Sequence, residues 1–313
     1  MIEINRIIDG HCHVASTEFT PRSFVEGVID NVLSALAAQG LRPDRNNLLK
    51  LYLDKMQDPD CNELIAEMAE AGIEKAVLLL PDFTYALKDS TLTISEMFDR
   101  HHTLLQQHSD KFFVFAGVDP RWGADGIQLF EKAVKEFGFH GLKLYPPCGY
   151  SPSDRALYPY YEICAQHGLP VLTHTGATSP ALAFEIARPI FIDQAALDFR
   201  NVNFILAHGS VAYVEECIML CAFRPNIYLD ISGFEMSPVE SLNPLLYRGI
   251  NHKIIFGTDW PVFRMQGSQK SFVEKLLDDN SPLGNLRKYE LNAIFHKTMN
   301  TLLSRQAQAN LIA

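Results

Sequence analysis

The stretch Ile8-Asp9-Gly10-His11-Cys12-His13-Val14 (IDGHCHV) closes the first apolar run of the chain, and its reading decides the fold. Side chains alternate faces along a strand, so His11 and His13 point one way and Cys12 the other. The cysteine then reads as a small buried hydrophobe facing an outer layer, and the two imidazoles carry the chemistry. Seven further short runs, rich in β-branched and aromatic residues, follow: Lys75 to Leu80, Phe112 to Val118, Gly141 to Tyr145, Pro170 to Thr175, Asn203 to His208, Asn226 to Ile231 and Lys253 to Thr258. With the first run, Ile4 to Val14, they make eight.

Segments with helical spacing separate the runs: Ser23 to Gln39, Cys61 to Ala71, Ser95 to His108, Asp125 to Glu136, Ser153 to His167, Pro189 to Asp198, Ala212 to Ala222 and Pro238 to Leu246. Another, Ser268 to Leu277, follows the eighth run, and Arg287 to Leu303 would close the chain. Alternating strands and helices imply parallel pairing, and eight such units predict an α/β fold, a (β/α)8 TIM barrel. No linker or low-complexity run divides residues 1–313, so a single domain is expected. The one irregularity is an insertion around residues 41–60, read as loop and short helix, which could wall a substrate pocket or decorate the surface.

Catalytic groups of such barrels sit at the C-terminal strand ends. The polar residues that interrupt the apolar runs fall there: His11 and His13, Lys143, His174, His208 and, just after the eighth run, Asp259. A lone strand-end histidine is more often a hydrogen-bonding group than a ligand. His11, His13, His174 and Asp259 together form a nitrogen and oxygen set suited to Zn²⁺ or a related divalent ion.

The charge balance narrows the partners. With 37 acidic against 27 basic residues the net charge is −10, which argues against nucleic acid. No signal-peptide pattern opens the sequence, where Glu3, Arg6 and Asp9 interrupt the apolar residues, and no apolar run is long enough for a membrane span. The six cysteines lack CxxC spacing and read as reduced thiols, so a cytoplasmic enzyme with a small-molecule substrate is expected.

The motifs DGHCHV, GLKLYPP, VLTHTG, FILAHGS, NIYLDIS and IIFGTDWP resemble the successive strand ends of the amidohydrolase superfamily, from about Ile8 to Asn300. The branch they are most similar to is the amidohydrolase-related one that contains the aminocarboxymuconate-semialdehyde decarboxylases. The resemblance implies a distorted barrel with one metal ion, or two, with one Zn²⁺ per chain as the expected cofactor. It implies His11, His13, His174 and Asp259 as ligands, with Asp259 also the proton shuttle. His208 would be a base and substrate polariser, or a ligand to a second ion. Lys143 would be a carboxylated bridge in a two-metal site, a free cation in a one-metal site, or a structural ion-pair partner.

The expected reaction is hydrolysis of a small amide, lactone or ester. The alternative is nonoxidative decarboxylation of an unsaturated or aromatic acid, which needs a cationic anchor. Arg121, Arg155, Arg188 and Arg264 are the candidates, with Arg264 best placed. Tyr145, Pro146, Pro147, Tyr150, Trp260 and Phe263 would give apolar walls. Barrels of this kind commonly self-associate, and the closing helix could pack in a homo-oligomer interface. A metal-dependent nuclease or phosphodiesterase fits the acidic balance and the strand-four lysine less well; a silent binding or scaffold protein is a further reading, which a protein that holds no metal and tolerates loss of Asp259 would favour.

Overall fold

The structure is a computed structural model that describes residues 4 and 6–304. Asn5, within the first predicted run, and residues 1–3 and 305–313, the ends of the predicted domain, lie outside the described residues. Eight parallel strands run in sequence order: β1 (Ile7–Cys12), β2 (Ile73–Leu79), β3 (Phe112–Gly117), β4 (Gly141–Leu144), β5 (Val171–Thr173), β6 (Phe204–Leu206), β7 (Ile227–Asp230) and β8 (Ile254–Ile255). Backbone bonds from Gly10 N to Phe256 O (2.9 Å), Asp259 N to His11 O (2.7 Å) and His13 N to Trp260 O (2.7 Å) draw β1 against the segment after β8. The result is a nearly closed single-domain α/β barrel, as the spacing of the runs predicts. No helix among the described residues is long and apolar enough to cross a membrane.

The barrel interior is apolar below and polar above. Ile8, Val77, Leu79, Phe115, Leu172, Ile205 and Ile255 meet inside, while Cys12, Leu78, Leu142, Leu144, Leu206 and Leu229 pack outward against the helices. Every strand but β2 is shorter than its apolar run, because the polar residues at the ends leave the ladder to build the mouth. In β1 the register with β2 shifts between Asp9 and Cys12. That irregularity lets Ile8 and His11, three residues apart, both face inward, so His11 and His13 share the mouth even though strict alternation from Ile8 would expel them.

The helices form the outer layer: α1 (Arg22–Ala38), α2 (Arg45–Lys55), α3 (Asn62–Ala71), α4 (Ile94–Gln107), α5 (Gly123–Lys135), α6 (Tyr158–His167), α7 (Asp193–Asp198), α8 (Val214–Phe223), α9 (Asn243–Leu246) and α10 (Gln269–Leu277). The expected helices at 153–167, 189–198 and 238–246 open with 3₁₀ turns instead, and α6 and α9 begin with a proline in their first two positions. The insertion holds α2, whose N-cap Asp44 accepts from Asn47 N. It folds back on α1 around a small apolar cluster of its own, Val25, Ile29 and Leu49. All six cysteines are buried free thiols.

The predicted closing helix at 287–303 is broken into α11 (Lys288–Asn292), a π turn (Ala293–Lys297) and α12 (Thr298–Leu303). Within the π turn the Ile294 carbonyl accepts from Phe256 N at 2.9 Å, tying the segment to the end of β8. Met299 and Leu302 enter the apolar floor of the barrel. The buried apolar residues of this segment are spent on the fold, while Tyr289 stays exposed.

Candidate active site

A cavity of about 500 Å³ opens at the C-terminal strand ends. Its base holds His11, His13, Lys143, His174, His208 and Asp259. Its walls are apolar: Phe19, Phe24, Val28, Met56, Phe83, Tyr145, Met236 and Val262 among them. Phe24 and Val28 come from α1 and Met56 from the end of the insertion, so the α1–α2 hairpin supplies one wall.

The tautomers follow from the partners. His13 Nδ1–H donates to the Leu79 carbonyl at 2.7 Å, which leaves Nε2 bare and 3.1 Å from Asp259 Oδ1. His11 Nδ1–H donates to Asp230 Oδ2 at 2.9 Å, and its Nε2 lies 3.3 Å from the same Asp259 oxygen. That Nε2 is buried and makes no hydrogen bond. His11 can sit this deep because Gly257 faces it: a Cβ there would come within 2.8 Å of His11 Cβ. Two bare imidazole nitrogens and a carboxylate oxygen, all within 4.8 Å, fit a divalent ion, and the Asp230–His11 pair is the partner arrangement that orients such ligands.

Asp259 and His208 have left-handed backbones, φ 50° and 67°, which non-glycine residues rarely adopt. At His208 the effect is directional. Ile205 and Ala207 face inward, so alternation would send His208 out; the left-handed turn swings it back to the mouth. Burial alone would raise the Asp259 carboxyl, but the His11, His13 and His208 rings hold it down at about 2.

His174 takes a different place from the one expected. Its Nε2–H donates to the Ala177 carbonyl at 3.0 Å, and its Nδ1 pairs with His208 Nε2 at 3.1 Å. With both nitrogens engaged it joins neither candidate metal set, which are His11, His13, Asp259 and His11, His208, Asp230. Tyr145 stacks on the His174 ring at 4.2 Å and donates or accepts through its hydroxyl to Thr178 at 2.8 Å.

Lys143, on β4, is buried in the cavity base with no hydrogen-bond partner for its ammonium. Burial pulls its pKa down to about 8, against the opposing pull of Asp259 and Asp230. The structural ion pair entertained for it is absent among the described residues.

The arginine anchors do not reach the cavity. Arg264 ion-pairs with Glu63 and Glu67 and lies over Trp260, Arg121 with Asp119, Arg155 with Asp198 and Arg188 with Glu216. None of these arginines lines the cavity, so the expectation that Arg264 contacts substrate is corrected. Trp260, expected in the same wall, is buried behind Asp259 and faces a neighbouring chamber.

Three residues of this region were not singled out in the sequence. Asp230, at the end of β7, accepts from His11, His208 N and Ser232 N; Ser232 Oγ bridges to His11 Nδ1 (3.2 Å) and His208 Nδ1 (2.9 Å). The strand-end rule that exposed the other polar residues applies equally to Asp230. His101 lines the cavity from α4, where nothing in the helical pattern marks it.

Fold and site define a barrel enzyme whose strand ends converge on a metal-type donor set. The Amidohydrolase family model matches residues 8–298, and the chain belongs to that family, which is metal-dependent. No curated protein matches it in sequence. Among solved structures, an uncharacterised TIM-barrel protein from Bordetella bronchiseptica shares 19% identity over 96% of this chain and 99% of that one, with a TM-score of 0.67. A 4-oxalomesaconate hydratase from Rhodopseudomonas palustris shares 18% over 98% and 100%, at 0.63. A dihydroxybenzoic acid decarboxylase from Polaromonas, with bound manganese and 2-nitroresorcinol, shares 15% over 96% and 97%, at 0.62.

Proposed function

We propose that this enzyme is a metal-dependent hydrolase of a small, largely apolar ester, lactone or amide, acting in the cytoplasm. The observation that carries the reading is the charge inventory of the cavity. Beyond the histidines and Asp259 it holds one cation, Lys143, and its walls are apolar. A multiply charged substrate would lose its hydration there without compensation; a neutral carbonyl compound would not.

His11, His13 and Asp259 are the residues that would hold the ion, Zn²⁺ being the expected one, with His174 able to join by giving up Ala177 or His208. A bound divalent ion supplies Lewis-acid polarisation of a carbonyl and lowers the pKa of a coordinated water. Asp259 accepts a proton from the attacking water and returns it to the leaving group. Lys143, and His208 once its Nε2–H is released from His174, would donate hydrogen bonds to the reacting carbonyl and stabilise charge developing on its oxygen. The aromatic walls exclude bulk water.

A second reading, nonoxidative decarboxylation, is favoured by the unpaired Lys143 ammonium, the one lysine or arginine among the described residues that line the cavity, and by the decarboxylase among the structural neighbours. The discriminating experiment is a turnover screen of neutral esters, lactones and amides beside aromatic and dienoic acids, reading acid release against CO₂ release. Asp259→Asn is expected to fold and lose about 10²- to 10⁴-fold in kcat. An Asp259→Asn enzyme with wild-type turnover would sink the proposed proton transfer.

A further inference from the structure

A second chamber, about 190 Å³, lies behind the Asp259 strand end. The two cavities share Phe263 as a wall, while Thr258 and Trp260, flanking Asp259, turn toward the chamber. Three polar groups lining it make no hydrogen bond of ordinary geometry: both carboxylate oxygens of Glu235, which face the backbone N–H groups of Gly233 and Glu235, the Oε1 of Gln269 and the Nε1 of Trp260. Gln269 and Trp260 are each 3% exposed. Gln269 commits its amide nitrogen to Asp9 at 2.9 Å, which fixes the orphan oxygen as an acceptor.

Buried polar groups without partners are costly, and native proteins satisfy them with protein, water or ligand. The orphans here are three acceptor oxygens against one donor, so the missing occupant is rich in donors. The charges agree. Arg264 is spent on Glu63 and Glu67, outside the lining, and Lys275 on the Glu235 and Ser237 backbone carbonyls, so neither cation pairs with the Glu235 carboxylate. Phe263, Phe272 and the Trp260 ring supply an apolar side. A compact hydrated metal ion would waste that side; a short hydrocarbon stem would cover it.

We propose that this chamber is a binding site for a short primary alkylammonium ion, its three N–H groups directed to Glu235 and Gln269 and its alkyl stem to the aromatic wall. Burial pushes the Glu235 carboxyl well above its usual range in the unliganded protein, and a cation beside it would favour the ionised form. The site is separate from the reacting cavity and does not depend on which reaction occurs there.

The test uses the full chain. The protein has two tryptophans, so in a Trp122→Phe background fluorescence reports on Trp260 alone. Titration with ethylammonium chloride is expected to give a saturable change, with Kd raised at least about tenfold by Glu235→Gln, one lost charge-assisted hydrogen bond. Tetramethylammonium chloride, which has no N–H, is expected to give none. No saturable response, an equal response in Glu235→Gln, or the same affinity for potassium chloride would each overturn the proposal, the last in favour of a metal-ion site. Should Glu235→Gln fail to fold, the wild-type melting temperature decides. A rise in ethylammonium over tetramethylammonium at equal ionic strength supports the site, and no difference overturns it.

Discussion

Replacing Lys143 by methionine should make the metal-free protein more stable. The ammonium is buried at 1% exposure with no hydrogen-bond partner, and desolvation, only partly offset by Asp259 and Asp230, lowers its pKa from 10.5 to about 8. At pH 7 the amine is charged in both folded and unfolded chains, so the whole difference opposes folding, about 3 kcal/mol. Methionine has a similar length and carries no charge to desolvate. For a chain of this length that gain corresponds to a rise of about 5 °C in Tm.

The pH dependence follows from the sign. Below pH 8 the penalty is complete. Between 8 and 10.5 the folded amine sheds its proton while the unfolded one keeps it, so the wild type gains stability and the gap narrows, to about 1 kcal/mol near pH 10. Urea and thermal denaturation of chelator-treated wild type and Lys143→Met at pH 7 and pH 10 read both quantities. A variant less stable than wild type at pH 7 would refute the reasoning. It would show that the amine is held by something the cavity supplies, as a carboxylated bridging lysine would be.

Three further outcomes are expected. Asp230→Asn replaces the charged acceptor of the His11 Nδ1 proton by a neutral amide and should weaken metal binding about 10- to 100-fold, measured by chelator competition, with the circular dichroism unchanged. Gly117→Ala should abolish soluble expression or cut stability by several kcal/mol (about 3 or more), because its Cβ would lie 2.0 Å from the Leu80 carbonyl oxygen; a normal melting curve would show that β3 can shift. His101, held near pKa 4 by burial against the opposing Met97 carbonyl, is neutral in the fold and protonated more readily when unfolded. Its stabilisation, about 3 kcal/mol, is complete above pH 6.5 and lost as pH falls toward 4, so His101→Gln should flatten the denaturation profile across that window.

The barrel was legible because its strands are buried on both faces and so read as continuous apolar runs, and because the polar residues that end them share one side. His11, His13 and Asp259 converge as that pattern predicts. What periodicity could not show were departures from alternation: the register shift that turns His11 inward, and the left-handed backbone that returns His208 to the mouth. Arg264 was misplaced for another reason. Sequence proximity to Asp259 says nothing about direction, and Glu63 and Glu67 on α3, about two hundred residues away, capture its guanidinium. Glu235 carried no signal, since one acidic residue in a loop is ordinarily solvated.

The π turn at Ala293–Lys297 has a consequence for how the chain is made. Until Ile294 has been synthesised the Phe256 amide has no acceptor, and until Met299 and Leu302 follow, the underside of the sheet stays open to water. Strands emerging from the ribosome can pair in order, and β1 can meet the segment after β8, but the apolar floor beneath them waits for this late segment. A nascent chain stalled before residue 294 should therefore stay open to proteases and chaperones, and the barrel should become resistant to digestion only once those residues clear the exit tunnel.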